Sequence, residues 1–114
     1  MLHHVGIEVR PDEIERSVAF WEALGFGEIE PPATLREYTW LEREGTQVHL
    51  MSTDEPAVPP RGHVAIVARD FDRDVAALRE LGFEVERRRE HWDAPRALAL
   101  APGGHRVELM AMKP

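Results

Sequence analysis

The chain carries one pattern of residues twice, and this internal repeat restricts its fold more than any other feature. The segment "HVGIEVR" at 4–10 aligns with "HVAIVAR" at 63–69, and "GTQVHLM" at 45–51 aligns with "GHRVELM" at 104–110. Both alignments have the same offset, from 4 to 63 and from 49 to 108, and "LGF" at 24–26 returns at 81–83. Three matches in the same order indicate a duplicated structural unit.

Each unit predicts a strand, a helix and three further strands. In the first unit, Val5, Ile7 and Val9 alternate with polar residues, as in a strand with one buried face. The spacing then becomes helical at Ile14, Val18, Trp21 and Leu24, and extended segments follow at 27–30, 36–43 and 46–51. The second unit repeats this order, with a helix at 72–81 and extended segments at 83–89, 96–101 and 105–112. Gly25 and Gly82 lie where each helix is expected to end.

This order predicts an α+β fold made of two βαβββ repeats that pack as mixed sheets. The expected organisation is a single domain over 1–114, with repeat one at 1–52, a linker at 53–61 and repeat two at 62–112. The linker is visible because the stretch at 52–62 combines Pro, Ser, Asp and Gly and shows no periodicity. One such unit could not bury its own sheet, so we expect the two to pack together, with a second chain as a further possibility.

Composition narrows the class of partner. Fourteen basic and twenty-one acidic side chains leave a formal charge of −7, which disfavours nucleic acid or an anionic membrane surface. The chain has no cysteine, so any metal ion would need nitrogen and oxygen ligands. No segment has the length and apolarity of a membrane span or the pattern of a signal peptide. We therefore expect a cytoplasmic protein that binds a small molecule.

Four residues of the kinds that bind metal ions occupy related positions in the two units. Alternation along the strands predicts that His49 and Glu108 point away from the apolar face, and that His4 and His63 do the same from the first strand of each unit. Three imidazoles and one carboxylate suit a divalent ion such as Zn, Ni, Co, Mn or Fe. A histidine on a half-buried strand is more often simply hydrogen-bonded. That explanation would have to apply separately to four residues at symmetric positions, so the pattern favours a metal site.

The chain resembles the vicinal oxygen chelate superfamily, which includes glyoxalase I, bleomycin-resistance proteins and extradiol dioxygenases. The resemblance is carried by "LHHVGIEV", "FWEALGF", "VHLM", "GHVAIVARDFD", "LRELGF" and "PGGHRVELM". It implies a glyoxalase-like fold of paired βαβββ units with a mixed-sheet cleft, and a homodimer. It also implies His4, His49, His63 and Glu108 as metal ligands. The implied activity is that of a lyase, isomerase or dioxygenase that chelates neighbouring oxygens of a small molecule.

Departures from the family pattern leave the reaction open. Glyoxalase I generally has a glutamate where this chain has His49, and a fourth ligand would crowd the open positions that a dioxygenase needs. Glu108 is the first candidate for proton transfer, and Glu8 is the second because it shares a strand face with His4. The alternative function is a binding protein that holds an antibiotic or metabolite without turning it over.

Other candidates have ordinary structural explanations. His3 is interpreted as a surface or edge residue, and His91 and His105 as solvated loop residues. His91 could instead line the mouth of a pocket together with Trp92 and Arg96. The basic run 87–89 is read as the solvated edge of a strand. Arg36, Tyr38 and Trp40 are placed on one strand, where sheet packing and contact with a substrate are equally good explanations.

Overall fold

The computed structural model describes residues 1–112 and confirms the α+β class and both βαβββ repeats. The chain divides into two compact units, the first over residues 1–58 and the second from Pro59 onward. We call them the first and second halves and describe each by itself. Among residues 1–112, no helix is long and apolar enough to cross a membrane.

The first half contains four strands and one α-helix. The elements are β1 (His4–Val9), α1 (Ile14–Ala23), β2 (Gly27–Ile29), β3 (Thr39–Arg43) and β4 (Thr46–Ser52). They form a sheet in the order β1-β4-β3-β2, in which β1 and β4 are parallel and the other neighbours antiparallel. Because β4 lies between β1 and β3, side chains on β4 have neighbours from both strands.

The second half repeats this arrangement. Its elements are β5 (His63–Val67), α2 (Phe71–Glu80), β6 (Val85–Arg88), β7 (Arg96–Ala101) and β8 (His105–Met110). The sheet order is β5-β8-β7-β6, again with one parallel pair, β5 and β8. The last strand of each repeat is therefore central, and it pairs with the first strand of the same repeat.

The predicted apolar faces are the buried faces. Val48 and Leu50 on β4 and Val107 and Leu109 on β8 are at most 1% exposed. Phe20, Trp21 and Leu24 supply the buried side of the first helical segment, and Val75 and Leu78 that of α2. The polar side chains between these strand positions consequently lie on the opposite face of each sheet.

Both helices end as the sequence predicts, and their starts differ from each other. Gly25 and Gly82 have φ values of 93° and 90°, the left-handed conformation of a C-terminal cap. Residues Pro11–Glu13 form a 3-10 turn before α1. Helix α2 begins after Asp70, whose side chain accepts a hydrogen bond from the backbone N–H of Arg73 at 3.2 Å.

Two local predictions were wrong. Residues 36–38 are not part of β3, because they form a turn and a bend that follow the 3-10 turn at Ala33–Leu35. Arg36 and Tyr38 therefore do not share a strand with Trp40. His105 is not a solvated loop residue, since it opens β8 and is only 8% exposed. Local turn formation explains the first error, and the strand position and burial of His105 explain the second.

Candidate functional site

The structure brings the four predicted ligands together as two pairs, one in each half. In the first half, the rings of His4 and His49 are stacked, with centroids 4.0 Å apart and planes 15° apart. In the second half, His63 Nε2 lies 3.3 Å from Glu108 Oε1. Each pair joins the first and last strands of its repeat, as the alternation along the strands predicts.

Strand register explains the contact between His4 and His49. His49 lies opposite Gly6 on β1, and Gly6 has no side chain to cover the ring. His4, two residues earlier on the same face, reaches His49 across this gap. A Cβ added at Gly6 would lie 3.0 Å from Cε of Met51, so the space beside His49 is closely filled.

Trp40 covers the other side of His49. These two residues are direct neighbours across β3 and β4, and their rings are parallel within 2° with centroids 3.8 Å apart. His49 is 8% exposed. Burial lowers the pKa of His49 below its usual value, and the nearby imidazoles of His4 and His3 lower it further. At neutral pH the ring is therefore neutral, which is the form that binds metal ions.

Each of the three histidines has one ring nitrogen held by a neighbour. His4 Nδ1 lies 2.9 Å from His3 Nδ1, and His49 Nε2 lies 2.7 Å from Gln47 Oε1. His63 Nδ1 lies 3.1 Å from the carbonyl oxygen of Arg61. Histidine ligands in metalloproteins are typically fixed in this way, with one nitrogen bonded to a protein group and the other bound to the metal.

The contact between His63 and Glu108 calls for a positive charge. Because a carbonyl oxygen can only accept, His63 Nδ1 carries a proton, and in a neutral ring Nε2 is then an acceptor. That nitrogen faces the Oε1 oxygen of Glu108 at 3.3 Å. Two acceptors in contact need a shared proton or a shared cation between them. The donor types in this pair fit a divalent ion.

Arg96 also contacts the carboxylate. Its Nε donates to Glu108 Oε2 at 2.8 Å, and its Nη1 donates to the carbonyl oxygen of Arg89 at 2.9 Å. The side chains of Arg96 and Glu108 are 19% and 10% exposed, so this ion pair is largely buried. The guanidinium therefore fixes one carboxylate oxygen and leaves the other directed at His63.

Each half alone supplies two donors rather than three. Within residues 1–112 there is no group of three or more histidine, cysteine, aspartate or glutamate side chains arranged to hold a metal ion. The second candidate for proton transfer, Glu8, does not belong to either pair. Its Oε1 accepts a hydrogen bond from the backbone N–H of Ala57 at 2.7 Å and so helps to hold the segment that follows β4.

Some residues at the site were not singled out by the sequence reading. Arg96 was considered only for a pocket mouth, and Arg88 belonged to a run read as a solvated strand edge. Both line a cavity of about 140 Å³ together with His63, Leu98, Arg106 and Glu108. Strand alternation did place Arg106 on the face of Glu108, and the same period applied to β6 and β7 would have added Arg88 and Arg96.

Comparison with known proteins identifies the fold. Residues 6–110 match the model of the glyoxalase-like domain. A protein assigned to the glyoxalase family from Bacillus anthracis superimposes with a TM-score of 0.84 at 26% identity, over 96% of this chain and 93% of that one. Among curated proteins, none is similar enough in sequence to count as a match.

Two more distant structures share the fold. TnmS3, an antibiotic binding protein from Streptomyces sp. CB03234, has a TM-score of 0.72 at 21% identity, over 96% of this chain and 93% of that one. The oxidase ChaP-H2 has a TM-score of 0.75 at 16% identity, over 99% and 94%. The same architecture thus occurs in one protein that binds an antibiotic and in one described as an oxidase.

Proposed function

Because the chain belongs to the glyoxalase-like domain family of the vicinal oxygen chelate superfamily, we propose that it is a metal-dependent enzyme acting on a small molecule with neighbouring oxygens. His4 and His49 of the first half and His63 and Glu108 of the second supply the metal ligands. The contact between His63 Nε2 and Glu108 Oε1 carries the proposal, since two acceptors 3.3 Å apart require a cation or a proton.

The bound ion would supply positive charge that polarises two oxygens of the substrate. The chain's own residues would do the rest. Trp40 and Gln47 fix the plane and the tautomer of His49. Arg96 holds Glu108 by Oε2, so that Oε1, which faces His63, is the oxygen that would bind the ion or accept a substrate proton. Glu8 stays the second candidate for that step, with its carboxylate bonded to Ala57.

Metal content tests this proposal directly. Plasma mass spectrometry on untagged protein is expected to find a first-row divalent ion in near-stoichiometric amount. The double variant H49A/E108A should lose it, whereas His91→Ala, a change at an exposed histidine outside both pairs, should retain it. Comparing H4A/H49A with H63A/E108A would show whether one pair binds without the other. One ion per chain lost in both variants would mean that the pairs act together, and two ions per chain would mean that each pair binds its own.

Substrate classes are then screened with the ion that is found. The expected classes are 2-oxoaldehydes and catechols, which present oxygens on adjacent carbons, and epimerisable thioesters, which form an enolate on losing a proton. Protein that is metal-free and cannot be loaded with any first-row divalent ion would overturn the enzyme proposal. The expected homodimer and cytoplasmic location remain predictions, and light scattering in solution measures the first.

The second candidate function is a protein that binds a small molecule without turning it over. The buried ion pair favours it, because the guanidinium of Arg96 competes with a metal ion for Glu108 at 2.8 Å. TnmS3 shows that the same fold serves a protein that binds an antibiotic. Ligand binding by metal-free protein, with no turnover after loading with metal, would favour this function over the enzyme.

A further inference from the structure

The open face of the second sheet carries more positive charge than its ion pairs use. Arg88, Arg96 and Arg106 lie on the same face of neighbouring strands, as the register of Arg88 with Arg96 and of Leu100 with Arg106 shows. Arg96 is committed to Glu108 at 2.8 Å. The other two guanidinium groups are not neutralised in this way.

Arg106 is the less satisfied of the two. Its Nε is buried, and among residues 1–112 no hydrogen-bond partner for this atom is found. A buried guanidinium N–H without a partner is costly, so such a group usually meets an acceptor when the protein is at work. Arg88 has one acidic neighbour, Glu86, at 3.9 Å, and their side chains are 39% and 73% exposed. An exposed pair at this distance contributes little and yields easily to a better acceptor.

Two adjoining cavities lie over these arginines. The cavity of about 140 Å³ beside Glu108 is continued by a larger one of about 290 Å³, and the two share Arg88, Leu98 and Arg106 in their linings. Leu98 and Leu100 provide apolar surface in the larger cavity, whose lining also includes Glu84 and Glu86. A site with apolar walls and a few converging charged groups is typical for a small organic ligand.

We propose that this face binds the anionic oxygen group, carboxylate or phosphate, of a small molecule through Arg88 and Arg106, with the apolar body of the ligand on Leu98 and Leu100. Guanidinium groups suit such oxygens because their planar N–H donors can bind two oxygens at once. The inference rests on the proposed function only for identifying this ligand as the substrate. Binding itself needs the arginines and not the metal.

Binding of three related probes tests the charge requirement. Benzoate, phenylphosphonate and benzamide share an aromatic body, and only the first two are anions. Titration calorimetry on chelator-treated, full-length protein is expected to show that at least one anion binds at least about tenfold more tightly than benzamide. The preferred anion distinguishes a carboxylate ligand from a phosphate ligand.

Variants test the residues. Arg106→Gln and Arg88→Gln should each weaken binding of the preferred anion at least about tenfold, since each removes a charged donor. Arg87→Gln is the matched control, because Arg87 neighbours Arg88 on β6 but points to the other face, where it pairs with Asp72 at 2.8 Å. Circular dichroism checks that each variant is folded. If Arg106→Gln fails to fold, the exposed Arg88 still tests the site.

Three results would overturn the inference: no binding of either anion, equal binding of benzamide, or equal weakening by Arg87→Gln. These results are separate from those of the metal analysis. Protein that cannot be loaded with any first-row divalent ion, but whose anion binding depends on Arg88 and Arg106, would end the enzyme proposal and leave the anion site standing. Stoichiometric metal without anion selectivity would support the enzyme proposal and overturn the anion site.

Discussion

Removing Arg96 should cost far more stability than its charge alone suggests, because it would leave Glu108 as a carboxylate in a mostly buried position. Breaking a buried ion pair from one side typically costs about 3–5 kcal/mol. Here the side chains of Arg96 and Glu108 are 19% and 10% exposed, so water can partly replace the lost donor. We therefore reduce the expected cost of Arg96→Met to about 2–3 kcal/mol in the free energy of unfolding.

A double-mutant cycle separates the ion pair from the other contacts of Arg96. Urea unfolding at pH 7.5 would be measured for Arg96→Met, Glu108→Gln and the double variant. Because the two side chains bond at 2.8 Å, we expect a coupling free energy of about 1–2 kcal/mol, with an unchanged dependence on urea concentration.

The chain supplies a matched control in the pair of Arg87 and Asp72. Its nitrogen–oxygen distance is also 2.8 Å, but its side chains are 52% and 84% exposed. The same cycle there, with Arg87→Met and Asp72→Asn, should give a coupling of about 0.2–1 kcal/mol. Equal couplings for the two pairs, or additive effects at Arg96 and Glu108, would refute the argument that burial makes the first pair strong.

Two further predictions concern stability. Gly45→Ala should lower the free energy of unfolding by about 1 kcal/mol in a thermal unfolding assay, because Gly45 has a φ of 87° in the turn between β3 and β4. Gly27→Ala is the control and should be close to neutral, because nothing lies within 4 Å of the added Cβ and φ is not positive there. Acidification should destabilise the protein through His49: its pKa is lowered on folding, so the unfolded chain takes up the proton first, and the stability present above pH of about 6.5 is lost as the pH falls from there toward the folded pKa. Urea midpoints at pH 7.5 and pH 5 should therefore differ more for the wild type than for His49→Gln, and an equal difference would contradict this account.

The repeated strands made most of the fold predictable. Alternation along β4 and β8 places Val48, Leu50, Val107 and Leu109 on one face of each strand, and these residues are buried. The helix ends were predictable because glycine adopts the left-handed conformation without a steric cost, as Gly25 and Gly82 do.

Segments without a period were less predictable. The 3-10 turn at Ala33–Leu35 shortened β3, since the residues around it form local hydrogen bonds instead of a sheet ladder. At the site, the sequence predicted which side chains share a face but not which hydrogen bonds and ion pairs they form. Arg96 pairs with Glu108 because β7 and β8 are neighbours, and Gln47 hydrogen-bonds His49 because they lie two residues apart on one strand face.

The parallel rings of Trp40 and His49 connect the site to an optical signal. Indole emission is sensitive to groups in direct contact with the ring, and the imidazole of His49 lies only 3.8 Å away between centroids. Protonation of that imidazole, or coordination of an ion by it, changes the charge next to the fluorophore. Trp21 is 1% exposed in the core, and Trp92 has a different histidine, His91, at 6.0 Å between ring centroids, so the part of the emission change that is lost in Trp40→Phe is the part that reports on His49. The protein thus carries its own reporter of events at His49, and Trp40→Phe would remove that signal.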